Sequence, residues 1–283
     1  MIAALNGVHI GFDDTGTGIP VLFIHGFPHD RSLWDDQCSA LSTHVRCIAP
    51  DLRGFGESTA IVAATGGPAD PASATGDSTS VDVYADDLAQ LLVHLDVMQA
   101  VVCGLSMGGY VAMAMWRRHP RLVRALVLCD TKAGADTDEG RKKRDEMIAL
   151  AQRDGSDAIA ATQITGMLGQ TTRDKRPDIV ARTEAMMRRA SVAGIVGALT
   201  AMRDRPDATP TLATVTVPTL VVVGDEDALT PVAEAEGIMA ALSPKATAKL
   251  EVVQGSGHAS CMERPAAVTH VLADFLAALS VHS

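Results

Sequence analysis

Six short apolar runs, each bounded by turn residues, alternate along this chain with segments of helical periodicity. The runs are VLFIHG (21–26), RCIAP (46–50), AVVCG (100–104), ALVLCD (125–130), TLVVVG (219–224) and AKLEVV (248–253). They are nearly continuous in hydrophobicity, as strands buried on both faces must be. Between two of them Val81, Tyr84, Leu88, Leu91, Leu92 and Leu95 recur at helical spacing, and Ser80 stands where an N-cap belongs. Repeated βαβ units predict an α/β protein with a mostly parallel, doubly covered sheet. An antiparallel hairpin is expected ahead of them, from GVHIGFDD through Gly16 and Gly18 into PVLFI.

Two stretches break the rhythm. Residues 61–80, rich in Gly, Ala, Pro, Ser and Thr without apolar periodicity, predict a long, mobile surface loop. Residues 133–210 hold no strand pattern and read as several charged helices inserted into the sheet domain. The division expected is therefore a core of 1–132 and 211–283 with a helical insertion at 133–210, the chain returning through the proline-containing segment 203–218.

A net charge of −10 argues against nucleic acid or an anionic membrane as partner, because both need a basic surface. No apolar run is long enough to span a bilayer, and the N-terminus lacks a basic segment followed by an apolar one. Five cysteines without CxxC spacing point to reduced thiols and a cytoplasmic location. No metal-ligand cluster, Walker motif or dinucleotide fingerprint occurs, so neither metal nor cofactor is expected.

The third apolar run ends in Gly104-Leu105-Ser106-Met107-Gly108, a G-x-S-x-G sequence between a predicted strand and a predicted helix. Such a turn is so tight that neighbours two residues away must lack bulk, and it projects the serine hydroxyl above the sheet edge. A serine hydroxyl is a poor nucleophile at neutral pH and needs a base, which needs an orienting acid. Of nine histidines, His258 is the one in a loop after a strand and downstream of the serine. Two acids compete: Asp227, in the turn after Gly224, and Asp130, at the end of ALVLCD. Asp227 is favoured because its turn leads toward the histidine loop, with Asp225 and Glu226 read as exposed turn formers. Developing oxyanion charge needs N–H donors, expected from Met107 and, in FIHGFPHDRSLW, from Phe27. His25 is expected to brace that loop.

Taken together and in order, HGFPHDRSLW, APDLRGFGES, GLSMGGYVA, GDEDALTP and GSGHASCMERP resemble the α/β-hydrolase superfamily. They look most like its small esterase and enol-lactonase branch. The resemblance implies Ser106 as nucleophile, Asp227 as acid, His258 as base, Phe27 and Met107 as oxyanion donors, and 133–210 as a cap over the pocket. Trp34, Met167 and Met187 are candidates to line that pocket. Serine rather than aspartate at the elbow points to acyl transfer and away from alkyl-ester chemistry.

The function expected is cleavage of a small or medium carboxylic ester or lactone. The same residues would serve a perhydrolase (cofactor-free haloperoxidase type) or a C–C bond hydrolase, and a ligand receptor on a hydrolase scaffold is the reading from another class. Several other features have ordinary explanations. Asp51 and Arg53 in DLRGFGES read as a structural turn, and the basic run Arg141 to Arg144 as a solvated helix face.

Overall fold

The computed structural model of the protein describes residues 1–60 and 79–280, so the part of the expected loop from 61 to 78 lies outside the described residues. The strands are β1 (Ile2–Leu5), β2 (Val8–Thr15), β3 (Ile19–Ile24), β4 (Val45–Pro50), β5 (Thr59–Ala60), β6 (Ala100–Leu105), β7 (Val123–Cys129), β8 (Thr219–Gly224) and β9 (Ala248–Val253). Their order across the sheet is β1-β2-β4-β3-β6-β7-β8-β9, with β5 paired to β2. From β4 through β9 every neighbour is parallel.

The N-terminal hairpin differs from expectation. It joins β1 to β2 through Asn6 and Gly7, both with positive φ, and β2 then pairs antiparallel with β4 rather than with β3. Asn-Gly flanked by strand residues is the turn whose backbone matches strand twist. The glycines at 16 and 18 instead let the chain pass close beneath His44 and Val45 as it crosses to begin β3.

Helices α1 (Asp35–Leu41) and α11 (Pro265–Ser280) cover one face, while α2 (Val81–His94), α3 (Met107–Arg118) and α9 (Val232–Ala241) cover the other. Alternate side chains of each central strand divide between them. Val21 and Phe23 join one apolar cluster with Leu41, Leu272 and Leu276, whereas Leu22 and Ile24 join the other with Leu88, Val111 and Ile238. The α2 periodicity is realised, and the Ser80 hydroxyl accepts from the Val83 N–H at its start.

Between β7 and β8 lie α4 (Asp138–Met167), α5 (Gln170–Lys175), α6 (Pro177–Arg188), α7 (Val192–Arg203) and the short α8 (Thr209–Leu212). The first is longer than expected, but Gly155 breaks it with φ 79° and ψ −172°, a conformation open essentially only to glycine. Arg141, Lys142 and Lys143 are exposed as expected, while Arg144 reaches back to Asp136 at 3.1 Å. The last element described is α11, which follows the short α10 (Ser260–Glu263). No helix among the described residues is long and apolar enough to cross a membrane.

Candidate active site

Ser106 occupies the bend between β6 and α3 with φ 55° and ψ −113°. The turn excludes side chains on both sides. A Cβ on Gly104 would stand 2.1 Å from the Gly108 carbonyl oxygen, and one on Gly108 would stand 2.3 Å from that of Ile24. The strained residue is pinned by its own backbone. Its N–H donates to the Cys129 carbonyl at 2.8 Å, and its carbonyl accepts from Gly109 N–H (2.9 Å) and from the Thr131 hydroxyl (2.8 Å). Strain of this kind persists only where surroundings over-determine it.

The serine hydroxyl oxygen lies 2.7 Å from His258 Nε2, and His258 Nδ1 lies 2.8 Å from Asp227 Oδ2. The three residues follow the C-terminal ends of β6, β8 and β9, which lie along one edge of the parallel sheet. Asp227 is buried and accepts four hydrogen bonds. Leu229 and Thr230 N–H groups reach Oδ1 at 2.8 and 2.9 Å, and the Thr230 hydroxyl reaches Oδ2 at 2.6 Å beside the imidazole. Burial pushes its carboxyl up, but the bonds from His258 and Thr230 overcome this and hold it below the usual carboxylate range.

Asp130, the competing acid, does not touch the imidazole. Its Oδ1 accepts the Gly224 N–H at 2.9 Å and its Oδ2 the Ser260 hydroxyl, so it braces the end of β8 against the histidine loop. Complete burial, with the neighbouring Asp227 carboxylate, pushes Asp130 well above the ordinary range. Such a group favours its neutral form, the opposite of what an orienting carboxylate requires.

The loop after β3 lies against the serine: a Cβ on Gly26 would be 3.3 Å from Ser106 Cβ. Neither the Phe27 nor the Met107 N–H has an acceptor among the described residues. His25 braces this loop, accepting the Leu52 N–H on Nε2 at 2.9 Å while Nδ1 faces the Gly26 carbonyl at 2.8 Å. Burial lowers its pKa against the opposing pull of Asp51. His29 is also buried, and burial together with His25 and His258 brings it down to about 3. A base with that value has little affinity for the proton it must accept.

The pocket candidates are all buried. Trp34 packs its ring on Phe23 with centroids 5.2 Å apart, inside the cluster that also holds Met167 and Cys261. Met187 is fully buried on α6. Asp51 and Arg53 are turn residues as expected: Asp51 accepts the Arg31 and Glu57 N–H groups at 2.8 Å, and Arg53 pairs with Asp87. Asp225 is exposed and closes the loop onto the Gly255 N–H at 2.6 Å. Glu226 departs from expectation. Its carboxylate is half-buried and holds the Thr171 N–H at 2.7 Å as well as the Thr171 hydroxyl. Thr230, Ser260 and Glu263 were not singled out from sequence. Thr230 alone carried a local signal, standing three residues after an aspartate that caps its N–H.

A family model described as "alpha/beta hydrolase fold" matches residues 19–265. An esterase from Thermogutta terrifontis is 34% identical, covering 99% of this chain and 98% of its own, with a TM-score of 0.89. The enol-lactonase from Burkholderia xenovorans LB400 is 25% identical over 98% of this chain and 100% of its own, with a TM-score of 0.84. The 3-oxoadipate enol-lactonase 2 of Acinetobacter baylyi is 25% identical over 89% of this chain and 86% of its own length. With the parallel sheet, the serine elbow at the end of β6 and a family match spanning most of its length, the chain belongs to the α/β-hydrolase family and resembles its esterases and enol-lactonases.

Proposed function

We propose that this protein is a serine hydrolase that cleaves small or medium carboxylic esters or lactones through an acyl-enzyme. The observation that carries the reading is the unbroken hydrogen-bonded series from Ser106 through His258 to Asp227. The esterase and enol-lactonase likenesses support the choice of ester over other acyl compounds.

In this mechanism the Ser106 oxygen attacks the substrate carbonyl carbon as its proton passes to His258 Nε2. Asp227 keeps the imidazole in the tautomer with Nδ1 protonated and stabilises the imidazolium that forms. The tetrahedral oxyanion is received by the Phe27 and Met107 N–H groups. His258 then gives its proton to the departing alkoxide, leaving the acyl group on Ser106. Water, deprotonated by the same imidazole, attacks the acyl-enzyme and releases the acid and the free serine. The helices of 133–210 act as a lid over this edge of the sheet.

Ser106→Ala should lower ester turnover by about three orders of magnitude or more, since removing the nucleophile leaves only binding and oxyanion stabilisation. The check is kcat on p-nitrophenyl esters of increasing chain length and on a lactone panel. Near wild-type rates from this variant would sink the mechanism.

A further inference from the structure

Glu263 is fully buried on α10, and its three partners are all peptide N–H groups. Its Oε1 accepts from Gly257 at 2.8 Å and from Ala259 at 3.2 Å, the residues on either side of His258. Its Oε2 accepts from Gly169 at 2.9 Å, at the start of α5 in the insertion. The same two segments meet along their backbones: Ala259 N–H also reaches the Met167 carbonyl at 3.1 Å, and a Cβ on Gly257 would stand 2.2 Å from Gly169 N. A buried carboxylate is costly unless hydrogen bonds replace its hydration. Here the replacement comes from the backbone that holds the base and from the backbone of the insertion.

We propose that Glu263 is a positioning residue for His258, fixing the base through both flanking peptides and tying that loop to residues 167–169 of the insertion. The inference rests on the reading of His258 as the general base. Asp227 holds Nδ1 of the imidazole ring, whereas Glu263 controls where the His258 Cα sits, and together they aim Nε2 at Ser106. Both bonds to the His258 flanks fall on one oxygen. An amide in its place therefore keeps them with its carbonyl oxygen and turns its NH2 toward Gly169, where two donors face each other. Glu263→Gln thus cuts the tie to the insertion and spares the base, whereas Glu263→Leu removes both.

The test is kcat and KM for each variant on an ethyl ester and on the matching p-nitrophenyl ester. An ethoxide leaving group needs a proton from His258 and a p-nitrophenolate does not, so a displaced base penalises the ethyl ester more. Both esters pass through one acyl-enzyme whose hydrolysis also needs His258, so the comparison is made in kcat/KM, which reports the acylation step alone. Expected for Glu263→Leu is a fall in kcat/KM of about tenfold or more on the ethyl ester and a smaller fall on the p-nitrophenyl ester, with KM for the ethyl ester within about threefold. Glu263→Gln should stay within about threefold of wild type on both, while its Gly169 amide exchanges hydrogen faster and those of Gly257 and Ala259 do not.

Equal losses on both esters, or a glutamine variant as slow as the leucine one, would overturn the proposal. If the leucine variant does not fold, the exchange pattern of the glutamine variant decides, and equal acceleration at all three amides is the refuting result. Ser106→Ala run alongside separates the two ideas: an active alanine variant removes the hydrolase mechanism itself, whereas an inactive one beside wild-type Glu263 variants removes only this role.

Discussion

Two buried aspartates stand at the ends of adjacent strands, and their surroundings drive them apart. Asp227 receives bonds suited to a carboxylate, and Asp130 is fully buried beside another acid. Asp227→Asn should therefore lower kcat by about three to four orders of magnitude, because the amide favours the wrong histidine tautomer. Asp130→Asn should stay within a few-fold of wild type in the same ester assay, since an amide can still accept from Gly224 and reach Ser260. The two also differ in pH dependence. A carboxyl whose folded pKa is depressed, as for Asp227, contributes stability above its unfolded value that is lost as pH falls through the folded one. A carboxyl whose folded pKa is raised, as for Asp130, contributes stability present below the unfolded value and lost as pH rises through the folded one. Melting temperature followed upward in pH should thus decline less for Asp130→Asn than for wild type. From sequence the two acids were separable only by the direction of a turn, because desolvation and the carboxylate–carboxylate approach are products of folding.

Local chemistry ends or bends several elements in ways a single substitution can test. The Ser80 hydroxyl satisfies the Val83 N–H at the start of α2, so Ser80→Ala should cost about 1 kcal/mol of stability. Gly155 interrupts α4 in a region that side chains avoid, and a Cβ there would meet nothing within 4 Å. Any penalty for Gly155→Ala is therefore backbone strain, about 1–3 kcal/mol, read by denaturant unfolding. An alanine variant at least as stable as wild type would mean the two helices fuse without cost. The N-cap was legible from Ser80 and the helical spacing that follows. The break was not, because isolated glycines are common in helical patterns and only the packing of the helices on either side demands the bend.

Across the whole molecule, the insertion is fastened to the sheet domain on two sides. Glu226 and Glu263 hold its 167–171 segment to the loops that carry Asp227 and His258. On the other side Arg182 pairs with Asp36 at 2.7 Å and Arg189 with Asp30 at 2.7 Å. These second contacts are partly exposed ion pairs, which contribute about 0–1 kcal/mol each. Replacing Arg182 and Arg189 by alanine should leave the global melting temperature nearly unchanged. It should speed limited proteolysis within 176–204, which measures local opening. Unchanged cleavage would show that contacts other than these ion pairs, such as the Ser191 hydroxyl on the Gly54 carbonyl and apolar packing, hold this side down.

The sequence by itself determined the parallel sheet, the serine turn and the histidine loop. Each of these is written in contiguous residues: unbroken apolar runs, glycines flanking a bend, a loop closing a strand. Only the tertiary structure shows the partner of β2, which of Asp130 and Asp227 lies against His258, and the contacts of Glu226 and Glu263 with residues 167–171. Those outcomes depend on groups distant in sequence being brought together by the packing of the sheet and its connections. Gly257 and Gly169 make the point in miniature: each is an unremarkable loop glycine until the other is brought within contact distance.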